Sequence, residues 1–197
     1  MRKLIVSMNI TLDGHLSGPG CELDWHYKSW TKEMGEAMCC ELANADTIIL
    51  GRVTYSAMAK YWSQKTGDLS CRGEDFAFAN MMNSYIKIVF SKTITALEWN
   101  NSKLVNGNLE TEINRLKKSP GKNIMVYGSA SLVTSLISSG LVDEYQLWLH
   151  PVILGMGKPL FNPFKYREKE WLYLKLNHTE TFPSGVVLLK YHSNRLL

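Results

Sequence analysis

The chain has 197 residues, with 45% hydrophobic residues, 20% charged residues and a formal net charge of +4 at pH 7. This length suits a single α/β domain, residues 1–197, that buries roughly 70% of the surface of its unfolded chain. The composition is that of a globular protein and excludes a disordered chain. Because the basic residues are spread along the chain and form no stripe, the sequence predicts no nucleic-acid partner.

The four cysteines indicate a reducing compartment. They form no C-x-x-C pair, and no histidines cluster at zinc spacing, so we expect neither a disulfide framework nor a metal site. The opening "MRKLIVSMNITLDG" is interrupted by polar residues and is predicted to be a strand and not a signal peptide. No apolar stretch is long enough to cross a bilayer, so we expect a soluble protein with no membrane partner. The cysteine pattern favours the cytoplasm as its compartment.

Short apolar runs bounded by turn signals predict strands that are buried on both faces. These runs are residues 4–8, 47–50, 86–90, 124–127 and 145–154. Apolar residues recur at helical spacing between residues 30 and 42 and between residues 132 and 141. The alternation of strands and helices predicts a mostly parallel sheet.

Two further segments are predicted to be irregular or antiparallel. The polar stretch 63–74 contains two glycines and is the predicted mobile loop. Near the end of the chain, two extended runs flank the turn "FPSG". They predict an antiparallel hairpin that closes the sheet.

Two predicted strands end at a glycine that precedes a predicted helix. In "TIILGRVTYSAM", Gly51 allows a tight turn, and Arg52 and Thr54 lie beside the free N–H groups of the next helix. A helix start of this kind attracts phosphate. Taken alone, the motif is more often a plain strand end followed by a helix.

The second glycine turn lies in "MVYGSASLVTSL". Gly128 makes the turn, and Ser129 or Ser131 can cap the following helix. The small side chains there would let a pyrophosphate approach the N–H groups. Two such sites in one parallel sheet favour a dinucleotide ligand.

A third strand ends in "IVFSKT", which places Ser91, Lys92 and Thr93 at a carboxyl edge, where open α/β sheets bind ligands. A cation between two hydroxyls suits a ribose phosphate, and a solvated turn is the alternative. Because no acid is present to accept ribose hydroxyls, the motif favours NADPH over NADH.

Asp13 follows the first strand in "TLDGHLSG". Its carboxylate either hydrogen-bonds a substrate or caps the turn at Gly14, and the residues alone leave both roles open. His150 lies inside an apolar strand and precedes a proline, which favours a structural histidine over a catalytic one.

With these features in place, the chain resembles the dihydrofolate-reductase-like superfamily, in the branch of the C-terminal reductase domain of the bifunctional riboflavin-biosynthesis deaminase/reductase. The segments that carry the resemblance run from end to end: "SMNITLDGHLSG", "ADTIILGRVTY", "VFSKT" and "IMVYGSASLVTSLISSGLVDEYQLWLHPVILGMGKPLF". The resemblance implies a three-layer α/β fold, with a mostly parallel central sheet and helices on both faces. It also implies NADPH as cofactor and a small-molecule substrate.

The resemblance also implies roles for individual residues. Cofactor phosphates would contact Gly51, Arg52 and Thr54, and the 2′-phosphate side would contact Ser91 and Lys92. The pyrophosphate would contact the second turn, which comprises Gly128, Ser129, Ala130, Ser131 and Leu132. On the substrate side, the candidate catalytic residues are Asp13, Asp24 and Trp25.

The resemblance further points to a homodimer, which the apolar run around Trp148 and the aromatic hairpin also favour. Three hypotheses about function follow. The leading one is an NADPH-dependent reductase of a small heterocyclic or carbonyl substrate, and the second is a nucleotide-binding module of the same fold without catalysis. A true dihydrofolate reductase ranks third, because "GPGCELDWHYKSWTKEMGE" departs from those enzymes where they place a substrate-polarising carboxylate.

Overall fold

A computed structural model describes residues 1–65, 74–161 and 171–193, so most of the predicted loop 63–74 lies outside the described residues. The strands are β1 Leu4–Thr11, β2 His15–Ser17, β3 Ala45–Gly51, β4 Ile86–Phe90, β5 Ser102–Val105, β6 Asn123–Val126, β7 Glu144–His150, β8 Lys158–Pro159, β9 Leu174–Thr181 and β10 Val187–Ser193. The helices are α1 Lys32–Ala43, α2 Arg52–Trp62, α3 Glu74–Ser84, α4 Leu109–Lys118 and α5 Ala130–Ser138. Two short 3₁₀ turns cover Asp24–Ser29 and Ser63–Lys65.

Eight of these strands form one sheet in the order β5-β4-β3-β6-β1-β7-β10-β9. The six strands from β5 to β7 run parallel, and β10 runs antiparallel to both β7 and β9. The predicted mostly parallel sheet with a C-terminal antiparallel hairpin is therefore confirmed. The small strands β2 and β8 pair with each other in a separate sheet.

One predicted strand is too long. The run 145–154 was expected to be a single strand, whereas β7 ends at His150. The reason is Pro151, which has no N–H group for a ladder hydrogen bond. Beyond it, the backbone turns, and Leu12 N donates to Val152 O at 2.8 Å.

The core lies on both faces of the sheet, because successive strand residues point to opposite sides. Side chains such as Leu4, Val6 and Val126 pack with α4 and α5. On the other face, Ile5, Met125 and their neighbours pack with residues of α1, α2 and α3. Helices on both faces, as expected, therefore cover the central strands.

The sheet opens between β1 and β6. These strands pair only through Leu4–Val6 of β1 and Ile124–Val126 of β6. Strand β1 continues to Thr11 along β7, while the chain leaves β6 after Val126. A crevice therefore forms at the carboxyl edge between residues 7–9 and residues 127–131, where the connections from β1 and β6 diverge.

The C-terminal hairpin of β9 and β10 extends the sheet beyond β7 and forms one of its edges. Trp148 of β7 is fully buried, and its ring stacks on Phe182 with centroids 5.8 Å apart. Met34 and Met38 of α1 complete this cluster. Trp148 is thus covered by its own chain and offers no surface for self-association, contrary to the argument from sequence.

A buried lysine joins β4 to the end of α3. Lys87 is fully buried, and its Nζ donates to the carbonyl oxygens of Met82 at 2.8 Å and Asn83 at 3.0 Å. The ammonium lies 4.5 Å from the ring centroid of Trp99, whose Nε1 donates to Asn83 Oδ1 at 2.7 Å. The lysine therefore satisfies helix-terminal carbonyls and makes a cation–π contact. Burial lowers the pKa of Lys87 to about 8.

This pKa makes stability depend on pH. The unfolded chain keeps the Lys87 proton up to its ordinary pKa, so between about pH 8 and 10.5 it holds more protons than the folded chain. The free energy of unfolding should therefore rise with pH across this window, by up to about 3 kcal/mol. We expect Lys87→Met to flatten this rise in urea unfolding measured from pH 7.5 to 10.5.

The exposed Lys118 supplies the matched control, and Lys118→Met should keep the wild-type slope. Equal slopes in the wild type and Lys87→Met would show that Lys87 does not titrate in this range.

Candidate cofactor and substrate cleft

The crevice between β1 and β6 forms a cleft of about 580 Å³ at the carboxyl edge of the sheet. Its walls come from β1, the start of α2, the chain after β6, and the segments around β2 and β8. The lining residues are Ser7, Met8, Asn9, Leu16, Ser17, Cys21, Leu23, Trp25, His26, Val53, Thr54, Ala57, Met58, Tyr127, Gly128, Ser129, Ala130, Ser131, Gly157, Lys158 and Pro159. A mainly apolar cleft with a few polar groups is typical of a small-molecule site.

The two predicted glycine turns contact each other beside this cleft. Gly51 N donates to Gly128 O at 2.9 Å. A Cβ atom on Gly51 would lie 2.7 Å from Ser129 Oγ, and one on Gly128, at φ +117°, would lie 3.0 Å from Thr54 Oγ1. The positive φ of Gly128 favours glycine there, and a side chain at Gly51 would crowd the backbone N of Ser129 at 3.2 Å. The Gly128–Ser129 peptide bond is cis.

The two helices that start at these turns lack side-chain caps. At the N-terminus of α1, Thr31 accepts from Met34 N, and at that of α4, Asn108 accepts from Thr111 N at 2.9 Å. No side chain caps α2 or α5. The expected cap of α5 by Ser129 or Ser131 does not form, because these two hydroxyls hydrogen-bond each other at 3.0 Å. Adjacent uncapped N–H groups make a binding site for anions.

The structure brings part of the predicted cofactor set together. Five of the predicted cofactor residues line the cleft: Thr54, Gly128, Ser129, Ala130 and Ser131. Leu132 is buried in the first turn of α5, where it packs against the core. Gly51 lies outside the lining, although its turn touches Ser129.

Four predicted cofactor residues lie farther from the cleft. The side chains of Arg52, Lys92 and Thr93 are exposed. Ser91 follows β4, and its Oγ accepts from Thr93 N at 3.1 Å and Ile94 N at 3.0 Å. Since neighbouring strands lie about 4.8 Å apart, the end of β4 is about 10 Å from the end of β6. An extended dinucleotide spans this distance.

Of the predicted catalytic residues, only Trp25 lines the cleft. Asp24 is exposed at the start of a 3₁₀ turn. Asp13 Oδ1 accepts from Thr11 Oγ1 at 2.6 Å, and its Oδ2 accepts from Gly155 N at 2.8 Å. The hydrogen bond from Thr11, with those from Gly155 and Leu154, holds the pKa of Asp13 well below its usual range. The carboxylate therefore binds the backbone of a distant loop and does not cap the turn at Gly14, whose N–H group donates to Thr11 O at 2.9 Å.

A cluster around His150 was missed from the sequence. His150 is fully buried, with Nδ1 2.7 Å from Ser29 Oγ and Nε2 3.1 Å from Asn9 Oδ1. Trp25 packs edge-on against His150 and His26, with centroids 5.1 Å and 5.5 Å apart. Burial, together with a smaller effect of the nearby His26, lowers the pKa of His150 to about 4. The sequence signal that could have revealed this cluster was a polar residue inside an apolar strand, Asn9 in β1 and His150 in β7.

The turn "GMGK", residues 155–158, contributes Gly157 and Lys158 to the rim of the cleft. A Cβ on Gly157 would lie 2.3 Å from Ser17 O, so only glycine lets β8 press against β2. The next residue, Lys158, reaches Cys21 Sγ at 2.6 Å. The sequence had not identified Lys158 as a cleft residue.

The lining has a simple charge pattern. Lys158 is basic, and none of the described residues that line the cleft is an aspartate or glutamate. Burial lowers the pKa of His26 and raises that of Tyr127, so both side chains are neutral near pH 7. The lining therefore suits a neutral or anionic ligand. Within the described ranges, no cluster of side chains is arranged to hold a metal ion.

Among the described segments, no helix combines the length and the apolar character that a membrane crossing requires.

Comparisons with known proteins agree with this architecture. Over 193 residues, the chain is 40% identical to the uncharacterized protein YyaP of Bacillus subtilis (strain 168), and the match covers 98% of this chain and 96% of YyaP. A diaminohydroxyphosphoribosylaminopyrimidine deaminase/5-amino-6-(5-phosphoribosylamino)uracil reductase from Thermotoga maritima superposes with a TM-score of 0.68 at 15% identity, over 98% of this chain and 56% of that one.

The dihydrofolate reductase from Enterococcus faecalis, complexed with NADP(H) and RAB-propyl, superposes with a TM-score of 0.61 at 15% identity, over 98% of this chain and 96% of that one. These structural likenesses show a dihydrofolate-reductase-like fold and confirm the expected fold class. Residues 2–188 match the RibD C-terminal domain family. The chain therefore belongs to the RibD C-terminal domain family, a reductase-type family with a dihydrofolate-reductase-like fold.

Proposed function

We propose that the protein is an NADPH-dependent reductase that transfers a hydride to a small heterocyclic or carbonyl substrate. The observation that carries this proposal is the pair of adjacent uncapped helix starts at Gly51 and Gly128, which lie at the edge of an apolar cleft. Membership of a reductase-type family and the NADP(H) complex of the Enterococcus faecalis dihydrofolate reductase support it.

The residues present fit such a cofactor. The first-turn N–H groups of α2 and α5 would hold its phosphates, and Lys92 would meet the 2′-phosphate. NADPH would supply the hydride. The chain itself would bind and orient the reactants, and the apolar lining around Met8, Leu23 and Trp25 would exclude water.

The second candidate is a nucleotide-binding module without catalysis. The observation that favours it is the lack of a carboxylate among the described lining residues, since no acid is then positioned to give a proton to the substrate. The same observation ranks a true dihydrofolate reductase third. Asp13 and Asp24 lie outside the cleft lining, and we keep them as proposed catalytic residues that would reach the substrate after a movement of their loops or through a bridging water.

Calorimetry with NADPH, followed by its absorbance in the presence of pterins, ribosylaminopyrimidines and quinones, separates these functions. Binding with turnover supports the reductase, and binding without turnover supports the module. Absence of NADPH binding contradicts both.

The first variant tests the start of α5. Ser129→Asp places a carboxylate at an uncapped N-cap, where it should accept hydrogen bonds from the helix and stabilise the fold by about 1 kcal/mol. The same charge would repel a pyrophosphate, so we expect NADPH affinity to fall at least tenfold while the melting temperature rises. Thermal unfolding and calorimetry measure the two effects.

A matched control exists at α4, which its own residue already caps. Asn108→Asp should leave NADPH affinity unchanged, because this N-terminus lies outside the lining of the cleft. Unchanged NADPH binding by Ser129→Asp would remove α5 from the phosphate site.

Lys92 tests the choice of cofactor. The exposed ammonium beside Ser91 and Thr93 would pair with the 2′-phosphate, a charge-assisted contact of about 1.5–3 kcal/mol. We expect Lys92→Ala to weaken NADPH binding about ten- to a hundredfold and to leave NADH binding nearly unchanged, as measured by calorimetry. An equal effect on both cofactors would place Lys92 away from the 2′-phosphate.

We also propose a homodimer that forms through β9. This strand pairs with β10 on one side, and its residues are exposed almost throughout. Trp171, Tyr173 and Leu176 are 67%, 63% and 51% exposed, so large apolar side chains are accessible on this edge strand and just before it, and we call these three residues the β9 patch. A second copy of the chain would bury this patch and the strand edge.

Light scattering at micromolar concentration should give the mass of a dimer. Leu176→Lys should yield a monomer, because it places a charge in the patch. Ile86→Lys, on β4 beside the strand at the opposite edge of the sheet, should stay dimeric. A wild-type monomer would refute the proposal.

A further inference from the structure

The imidazole of His150 sets the direction of a buried hydrogen-bond chain. It is fully buried, and burial together with nearby His26 keeps it neutral near pH 7. A neutral imidazole has one nitrogen that donates and one that accepts. The partners of the two nitrogens therefore decide which nitrogen carries the hydrogen.

Asn9 and Ser29 make this assignment. Asn9 directs Oδ1, which can only accept, toward His150 Nε2 at 3.1 Å. Nε2 then carries the hydrogen, and Nδ1 accepts from the Ser29 hydroxyl at 2.7 Å. The one hydrogen of that hydroxyl is thereby taken from its longer contact, which is His26 O at 3.2 Å. The chain thus runs in one direction, from Ser29 through His150 to Asn9.

The consequence appears in the cleft, where Asn9 is part of the wall. With Oδ1 directed at the buried His150, the amide presents its Nδ2 donors on the side away from that ring, where a ligand can meet them. The structure gives Asn9 no other side-chain hydrogen bond within the described ranges. A ligand that covers this amide without an acceptor would leave a donor unsatisfied, which costs binding free energy.

We propose that Asn9 is a specificity-determining residue of the cleft, whose Nδ2 donates to a carbonyl oxygen or an unprotonated ring nitrogen of the bound molecule. His150 and Ser29 are positioning residues that keep the donor face of the amide toward the cleft. The site selects ligands that present an acceptor there and disfavours ligands that present an amidine or guanidine edge. The lack of a lining carboxylate leaves such an edge without an acidic partner. That the selected ligand is the molecule reduced rests on the proposed function.

Two probes of similar shape test this selectivity without cofactor. Acetophenone carries a carbonyl acceptor on a phenyl ring, and benzamidine carries only donors on the same ring. Ligand-observed NMR titration of the wild type should show tighter binding of acetophenone. Asn9→Leu, which keeps the volume and removes the amide, should weaken acetophenone about three- to tenfold.

Asn9→Asp is the opposite test, because it replaces the donor with an acceptor. It should reverse the preference and bind benzamidine more tightly than acetophenone. Val53→Ala, which changes the apolar wall, is the matched control and should shift both probes by a similar factor. No acetophenone binding by the wild type, or equal binding by the wild type and Asn9→Leu, overturns the proposal.

A measurement on the wild type alone keeps the proposal testable if a variant does not fold. Nitrogen-15 NMR of the histidine rings should show His150 neutral at pH 7 with its hydrogen on Nε2. A hydrogen on Nδ1 would overturn the proposal, because Asn9 would then turn its oxygen toward the cleft. The NADPH titration is separate: failed cofactor binding with retained probe selectivity refutes the proposed function and not the role of Asn9.

Discussion

The close contact between the turns at Gly51 and Gly128 is the constraint on which the site depends. The hydrogen bond from Gly51 N to Gly128 O extends the pairing of β3 and β6 beyond the end of β6, while β1 separates from β6 after Val6. One strand pair is thus held together at the point where the next one opens. The helices α2 and α5 start at this point, so the free N–H groups of both lie at the carboxyl edge of the sheet. A side chain at Gly51 would crowd Ser129, and one at Gly128 would crowd Thr54 in a backbone conformation that other residues rarely adopt.

Local signals in the sequence account for most of the central sheet. The strand predicted at residues 86–90 has the observed bounds, because a short β-branched run is flanked by clear turn residues. β7 was predicted too long, since apolar character continues past Pro151 where the ladder cannot. β2 and β8 are only three and two residues long, and they form because Gly157 permits a close approach to distant Ser17. No short window of sequence contains that information.

In the site, too, features set by neighbouring residues were predictable from sequence and features set by distant contacts were not. The glycine turns were recognisable because turn, glycine and helix start are neighbours in sequence. The chain of Ser29, His150 and Asn9 was not, because His150 is separated from these partners by 121 and 141 residues. Asn9 and His150 face each other only because β1 and β7 are adjacent strands. A polar residue in an apolar strand signals that a partner exists, but the topology identifies the partner.

The hydrogen bonds of Asp13 change how loss-of-function data on this family member should be interpreted. This carboxylate lies outside the cleft lining, yet it holds Leu154 and Gly155 through their backbone N–H groups. The same loop continues to Gly157 and Lys158, which form the rim of the cleft. Replacing Asp13 would therefore release a wall of the site from a distance. An inactive Asp13 variant would look like the loss of a reacting group in an activity screen, although the acid need never meet the substrate.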